Sequence, residues 1–221
     1  MNVAAIKKIK TKLIGKKLYY YKEIGSTNDE AKRLAALGVG EGTVVIAEGQ
    51  TKGRGKPGRR WFSPKGSGVY LSIIIEPHKS SDKIEVITLL GTLASARAII
   101  GLTSLDVKLK WPNDVMVSGK KIGGILTEVC RTKRGGKSFI VGIGLNVNTT
   151  KDELPQKLRT TTTSIADELG KAINRTALIR TLLQEFEKLY FLLLTGKEDL
   201  ILDEWKMLSQ TIGSQWKPGE S

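Results

Sequence analysis

Apolar residues recur at helical spacing over two long stretches of the chain, and short β-branched or aromatic runs separate them. Between Asp82 and Ile100, the residues Ile84, Ile87, Leu90, Leu93, Ala94 and Ala98 fall on one helical face. After Asn174, a helix-capping residue type, the stripe Leu178, Leu182, Phe186, Leu189 and Leu193 predicts a second long helix. Leu200–Leu208 predicts a third. A shorter helix runs through Ala31, Leu34, Ala35 and Leu37 and stops at Gly38. Ser26 and Thr27 precede it, and Glu30, three after Thr27, completes a capping box. Strands are expected at Lys17–Glu23, Thr43–Ala47, Val69–Ile75, Asp106–Trp111, Val115–Val117, Ile122–Cys130 and Ser138–Val147. Turns fall at Ser118–Gly119 and Arg134–Gly136, and loops over Gly49–Gly68 and Thr160–Thr163. Strands joined mostly by hairpins, with helices interleaved and then trailing, predict an α+β fold with a mixed, largely antiparallel central sheet flanked by helices.

Composition narrows the class. At 221 residues, 40% apolar and 26% charged, the chain excludes collagen, coiled coil and wholesale disorder. Its apolar runs, Leu189–Leu194 and the stretch Val86–Ile100 interrupted by Arg97, fall short of the ~20 residues of a membrane span. Lysines crowd Lys7–Lys17 with no apolar segment after them, so no secretory signal is read. One cysteine, Cys130, makes no internal disulfide, and one histidine, His78, excludes His-rich metal sites. A cytoplasmic protein with no membrane partner is expected. The net charge of +14 is unevenly placed: residues 1–150 hold 26 Lys/Arg against 11 Asp/Glu, residues 151–221 hold 10 against 11. From Gly49 to Ile75 there are six cations and no acid, which marks a polyanion-binding surface or a solvated face.

Three segments carry candidate chemistry. In Gln50-Thr51-Lys52-Gly53-Arg54-Gly55-Lys56-Pro57-Gly58-Arg59-Arg60-Trp61, glycines allow close backbone approach, guanidiniums grip anions and an aromatic offers a plane. The loop has neither a dinucleotide fingerprint nor a P-loop ending, so it binds an anion in another way or is a flexible basic loop. Lys110-Trp111-Pro112-Asn113-Asp114 leads into a hairpin about Ser118-Gly119. Its two-residue turn pairs Val117 with Lys120, Met116 with Lys121 and Asp114 with Gly123. Asp114 and Lys121 are then diagonal neighbours on one face, either a site or a surface ion pair. Gly123-Gly124 within a strand suggests that something packs against its backbone. Val141-Gly142-Ile143-Gly144-Leu145-Asn146-Val147-Asn148 offers amides for a polar ligand, or is a buried, bulged strand.

Together and in this order, Ser26-Thr27-Asn28, the G-R-G-x-x-G-R-x-W loop, K-W-P-N-D and G-I-G-L-N-V-N resemble the catalytic domain of biotin protein ligases, from about Lys17 to Ser209. Lipoate ligases share that fold with a different glycine-rich segment. The resemblance implies the biotin/lipoate ligase-like fold, biotin and ATP as substrates with Mg²⁺, a biotinyl-5′-AMP intermediate, and a biotin carboxyl carrier protein as acceptor. It implies that Ser26, Thr27, Asn28, Gln50, Arg54, Gly55, Lys56, Lys121, Gly123 and Gly124 bind biotin. Arg54, Lys56, Arg59, Trp61, Asn113, Lys121 and Asn146 would bind ATP or the adenylate. Lys121 and Arg54 would be catalytic, with Asp114 on the acceptor-lysine or metal side and no metal held by protein ligands alone. Lys56 stands where arginine is common in the family. About 25 residues precede Ser26, too few for the family's DNA-binding domain, so no specific DNA partner is expected and a homodimer stays open. Residues 1–209 would be the catalytic domain and 210–221 the stub of a truncated SH3-like C-terminal domain. Two other readings are a nucleic-acid binder, disfavoured because the basic residues lie in a loop and not on a recognition helix, and a fragment that binds biotin or adenylate without transfer.

Overall fold

The computed structural model describes residues 1–77, 82–132 and 135–210. His78, Arg134 and most of the expected 210–221 stub lie outside them. The elements are α1 (Val3–Lys7), β1 (Leu18–Tyr21), α2 (Thr27–Ala36), β2 (Val44–Ala47), β3 (Val69–Ile75), α3 (Ile84–Leu102), β4 (Val107–Lys110), β5 (Asp114–Val117), β6 (Lys120–Arg131), β7 (Lys137–Leu145), α4 (Ile165–Leu169), α5 (Arg175–Leu194) and α6 (Glu198–Leu208). The seven strands form one sheet in the order β1-β2-β3-β7-β6-β5-β4, antiparallel except for the β1–β2 pair that α2 connects. The expected α+β class and mixed sheet are borne out.

Strand alternation divides the sheet into two faces. Val44, Ile46, Leu71, Ile73, Val141, Ile143 and Leu145 point into the main core, packed by α3, α5 and α6. The alternate residues Val45, Ile74 and Ile140 meet Ala31, Leu34 and Ala35 of α2. Further along this second face the side chains shrink to Ser72, Gly142 and Gly144. The sheet floor is therefore apolar under α2 and, beyond it, bare of side chains along β7 and at Gly124, with Tyr70 and Leu126 beside the bare strip. α3 is long and apolar enough to cross a membrane, but two thirds of its apolar window is buried inside the fold. Arg97 of that helix reaches Glu204 of α6 and, at 3.2 Å, Glu185 of α5, which clamps the three helices together.

Two expectations need correction, and two short helices were not foreseen. Ser26, not Thr27, is the cap of α2: its hydroxyl accepts from Asp29 N, and Glu30 instead pairs with Arg33. The β5–β6 register shifts at a β-bulge, so Val115 pairs with Gly123 and Asp114 with Gly124. α1 was not expected; Asn2 caps it, and after it the chain is pinned where the Glu187 carboxylate accepts from the N–H groups of Lys12, Leu13 and Ile14. α4 was not expected either; Ser164 caps it and Gly170 ends it in the left-handed region. Ser118 (φ 51°) and Gly119 (φ 73°) make the tight turn of the β5–β6 hairpin, with both central residues left-handed.

Candidate active site

The bulge decides where Lys121 points. A strand alternates faces, so Lys121 and Gly124, an odd number of residues apart, would lie on opposite sides of a regular β6. The extra residue puts Ile122 in the core, and a Cβ on Gly123 would face Leu145 and Val115 there. Lys121 and Gly124 then share the open face. Asp114 joins them from β5, and its carboxylate receives Lys121 Nζ at 2.5 Å. The expected Asp114–Lys121 pair is present, but it is made by the bulge and not by a regular diagonal. Thr161 O accepts from Lys121 N, and Lys121 O accepts from Thr163 N, so the threonine run fixes this lysine's backbone.

Trp61 fills the side-chain-free strip. A Cβ on Gly144 would lie 2.6 Å from Trp61 Nε1, and one on Gly124 would lie 3.2 Å from the same ring. Lys121 Nζ stands 5.4 Å from the ring centroid, a cation–π contact. The packing expected against the Gly123-Gly124 backbone is thus real at both: Leu145 packs on Gly123 from the core side and Trp61 on Gly124 from the cavity side. Two residues along, a Cβ on Gly142 would strike Asn28 Oδ1. The glycines of β7 make room for two protein side chains that form the cavity wall.

A hydrogen-bonded chain lies at the N-terminus of α2. Ser72 Oγ is 2.6 Å from Asn28 Oδ1 and 2.8 Å from Thr27 Oγ1. Gln50 Oε1 accepts from Thr27 N and Oγ1, and Gln50 Nε2 donates to Ser63 Oγ. Every buried member has a partner, so the chain is held in one arrangement. Asn113 and Asn146 are also anchored: their amides donate to Ile125 O and Thr163 O.

The glycine-rich loop closes on itself and on the sheet. Gly55 N donates to Arg59 O, Trp61 N to Gly53 O, and a guanidinium nitrogen of Arg60 to Thr51 O. Arg54 pairs with Asp29 on α2 and with Glu128 on β6, the latter at 2.7 Å. Burial works against the Arg54 charge, but Asp29 and Glu128 outweigh it and raise the pKa. Burial also opposes the Glu128 charge; hydrogen bonds from Lys32 and Asn28 and the nearby Arg54 prevail and hold its carboxyl below the usual range.

These parts surround a cavity of about 490 Å³. Of the fifteen residues expected in the site, all but Gly123 line it: Ser26, Thr27, Asn28, Gln50, Arg54, Gly55, Lys56, Arg59, Trp61, Asn113, Asp114, Lys121, Gly124 and Asn146. Gly123 faces the core, the consequence of the bulge. Residues not expected there also line it, including Arg60, Lys110 and Thr160–Thr162. Lys110 could have been found from its β4 pairing with Asp114. The threonine run carried no such signal, because it reaches the site through hydrogen bonds to Lys121 and Asn146, both remote from it in sequence. Six cations (Arg54, Lys56, Arg59, Arg60, Lys110 and Lys121) face the cavity against one carboxylate, Asp114. Among the described residues no group of three or more His, Cys, Asp or Glu side chains could hold a metal.

A mixed sheet with a cation-lined cleft on one face, walled by a tryptophan and a helix N-terminus, defines an α+β domain whose cleft is suited by charge to an anionic ligand. Residues 20–148 match the Biotin/lipoate A/B protein ligase family, and the chain belongs to that family. It is 38% identical over 182 residues to the bifunctional ligase/repressor BirA of Bacillus subtilis, covering 82% of this chain and 56% of that protein. It is 32% identical over 198 residues to the biotin–[acetyl-CoA-carboxylase] ligase of Mycobacterium tuberculosis, covering 87% of this chain and 71% of that protein. The biotin protein ligase of Aquifex aeolicus, solved in complex with biotin and ATP, superposes with a TM-score of 0.78 at 30% identity. That match covers 90% of this chain and 80% of the other. The chain thus spans little more than half the length of the Bacillus relative.

Proposed function

We propose that this chain is an ATP-dependent biotin–[biotin carboxyl-carrier protein] ligase. It activates biotin as biotinyl-5′-AMP and passes the biotinyl group to a lysine of a carrier domain. The observation that carries the reading is the single cleft into which all four motif segments converge, with six cations against one carboxylate.

In the first step the biotin carboxylate attacks the α-phosphorus of ATP, a P–O bond forms, and pyrophosphate leaves. Two anions meet, so fixed positive charge must be waiting. Lys121 supplies it from a backbone clamped on both sides, and Arg54 from the loop. Arg54 spends two donor groups on Asp29 and Glu128, and a guanidinium carries five N–H donors, so three stay free for the carboxylate and phosphate. Ser26, Thr27, Asn28 and Gln50 hold the ring end of biotin, and their hydrogen-bond chain fixes which atoms donate. Trp61 lies against the adenine, with Asn113, Asn146, Lys56 and Arg59 around the nucleotide. Mg²⁺ would neutralise phosphate charge; it fits this site as a passenger on the triphosphate, since Asp114 is the one carboxylate on the cavity wall. In the second step the acceptor lysine's amine attacks the acyl carbon and AMP leaves. Asp114, beside Lys121, is placed to take the proton that the amine sheds.

The reading is tested with biotin, ATP, Mg²⁺ and a carrier domain, following the carrier's mass. Biotinylation that needs both substrates is expected. A carrier left unmodified under conditions where a known ligase modifies it would refute the assignment.

A further inference from the structure

The polar cluster behind the cavity is organised around Glu128, which does not line it. Glu128 lies on β6 in the row Ile74–Ile140–Glu128, on the same face as Gly124 but two rows further under α2. Its Oε1 receives Lys32 Nζ at 2.5 Å and Arg54 at 2.7 Å, and its Oε2 receives Asn28 Nδ2 at 2.9 Å. One carboxylate therefore ties together α2, the sheet and the glycine-rich loop.

We propose that Glu128 is the positioning residue of this site: it anchors Arg54 to the rigid sheet and so holds the glycine-rich loop closed over the cavity. The inference rests on the ligase reading for its ligand, though not for its geometry. Of the two carboxylates that meet Arg54, Asp29 has a side chain 55% exposed, where an ion pair is screened and contributes little. Glu128 is 17% exposed and is itself held by Lys32 and Asn28. It is the fixed point, and Asp29 the outer contact. The loop's own bonds, Gly55 N to Arg59 O and Trp61 N to Gly53 O, give it shape but do not join it to β6. Trp61 packs on Gly124 of β6 at one end of the loop, and Arg54 adds the charged hydrogen bond to Glu128 near the other. Asn28, whose other amide atom meets Ser72, passes the same constraint to the hydrogen-bond chain at Thr27 and Gln50.

Glu128→Gln keeps the size and one acceptor for Asn28 but removes the charge that Arg54 needs. The test uses the whole chain and four forms: wild type, E128Q, R54Q and the double variant. Two quantities are measured: hydrogen exchange of the Gly53–Trp61 segment without ligand, and the dissociation rate of the adenylate formed from biotin and ATP. A charge-assisted hydrogen bond is worth ~1.5–3 kcal/mol, so each single variant is expected to release the adenylate at least about tenfold faster. The double variant should be no worse than R54Q alone, because Glu128 acts through Arg54. Loop exchange should rise in both singles. Glu128→Asp, which keeps the charge but retracts it, should fall between wild type and E128Q, and it serves if E128Q fails to fold. Multiplying effects in the double variant would overturn the inference. So would a variant at Glu128 that lowers the melting temperature while leaving adenylate release and loop exchange unchanged. If the wild type forms no adenylate, the ligase reading fails, and ligand-free exchange still decides the anchor.

Discussion

Gly144→Ala would place a methyl group where Trp61 already lies. The added Cβ would sit 2.6 Å from Trp61 Nε1 and 2.7 Å from Cε2. Unstrained contacts lie at ~3.5–4.0 Å, so the ring must retreat by about 1 Å. It cannot slide freely along the floor, since a Cβ at Gly124 would already be 3.2 Å from Trp61 and Lys121 stands over the same ring. Overpacking of this kind costs ~1–3 kcal/mol. For a chain of this size each kcal/mol is worth ~2–4 °C, so the melting temperature should fall by about 2–12 °C. The functional loss should be nucleotide-specific: Trp61 and Lys121 move together, so KM for ATP should rise about tenfold or more, while KM for biotin changes less. Gly101→Ala is the control. Gly101 closes α3 with nothing within 4 Å of its added Cβ and no positive φ, so the same change there should be neutral or stabilising. The assay pairs thermal melts with biotin-dependent pyrophosphate release. Equal melting temperatures and equal KM values for G144A and wild type would refute the assignment of Trp61 to the cavity wall.

Lys121→Ala should keep the fold and slow adenylate formation by ~10²–10³, the usual loss for one fixed charge on a developing oxyanion; near-normal turnover would remove Lys121 from the chemistry. Glu187→Ala leaves the N–H groups of Lys12, Leu13 and Ile14 without their acceptor, and urea unfolding should show a loss of ~2–4 kcal/mol; a loss under ~0.5 kcal/mol would contradict the pinning of the N-terminal segment. The folded Glu128 carboxyl titrates below its ordinary value, held there by Lys32, Asn28 and Arg54, with Asp29 the other acid on Arg54. Its stabilising effect is therefore present above the ordinary carboxylate range and is lost as pH falls through the lowered value. The stability gap between wild type and E128Q should be constant near neutral pH and close on acidification, and a gap that widens in acid would contradict the sign.

The long elements were legible because local pattern and tertiary need agree. The 69–75 strand is as expected, and α5 has both its Asn174 cap and its apolar stripe. Which residues would meet at one cavity was legible through their motifs, since the glycine-rich loop and the Asn113-Asp114 end of the K-W-P-N-D turn both reach it. What stayed hidden depends on contacts between distant segments. The β-bulge that turns Lys121 toward the cavity goes with a hydrogen-bond pair between Asn113 and Ile125 and with Asn146 N reaching Ile122 O, none of which a hairpin rule contains. Gly123 and Gly124 look alike in sequence, yet one faces the core and the other the cavity. Asp29 and Glu128, the partners of Arg54, lie 25 and 74 residues away from it along the chain. α1 was missed because five residues carry too little periodicity, and its start is tied by Asn2 N to the Thr176 hydroxyl on a remote helix.

The central claim is that the cavity joins biotin to AMP. It is tested most directly by mixing the protein with biotin and α-labelled ATP in the absence of any carrier, and separating bound from free label. One labelled biotinyl-5′-AMP per active site, released with an equal amount of pyrophosphate and absent without biotin, is the predicted result. Label that stays in ATP, or that is retained equally without biotin, would contradict the account.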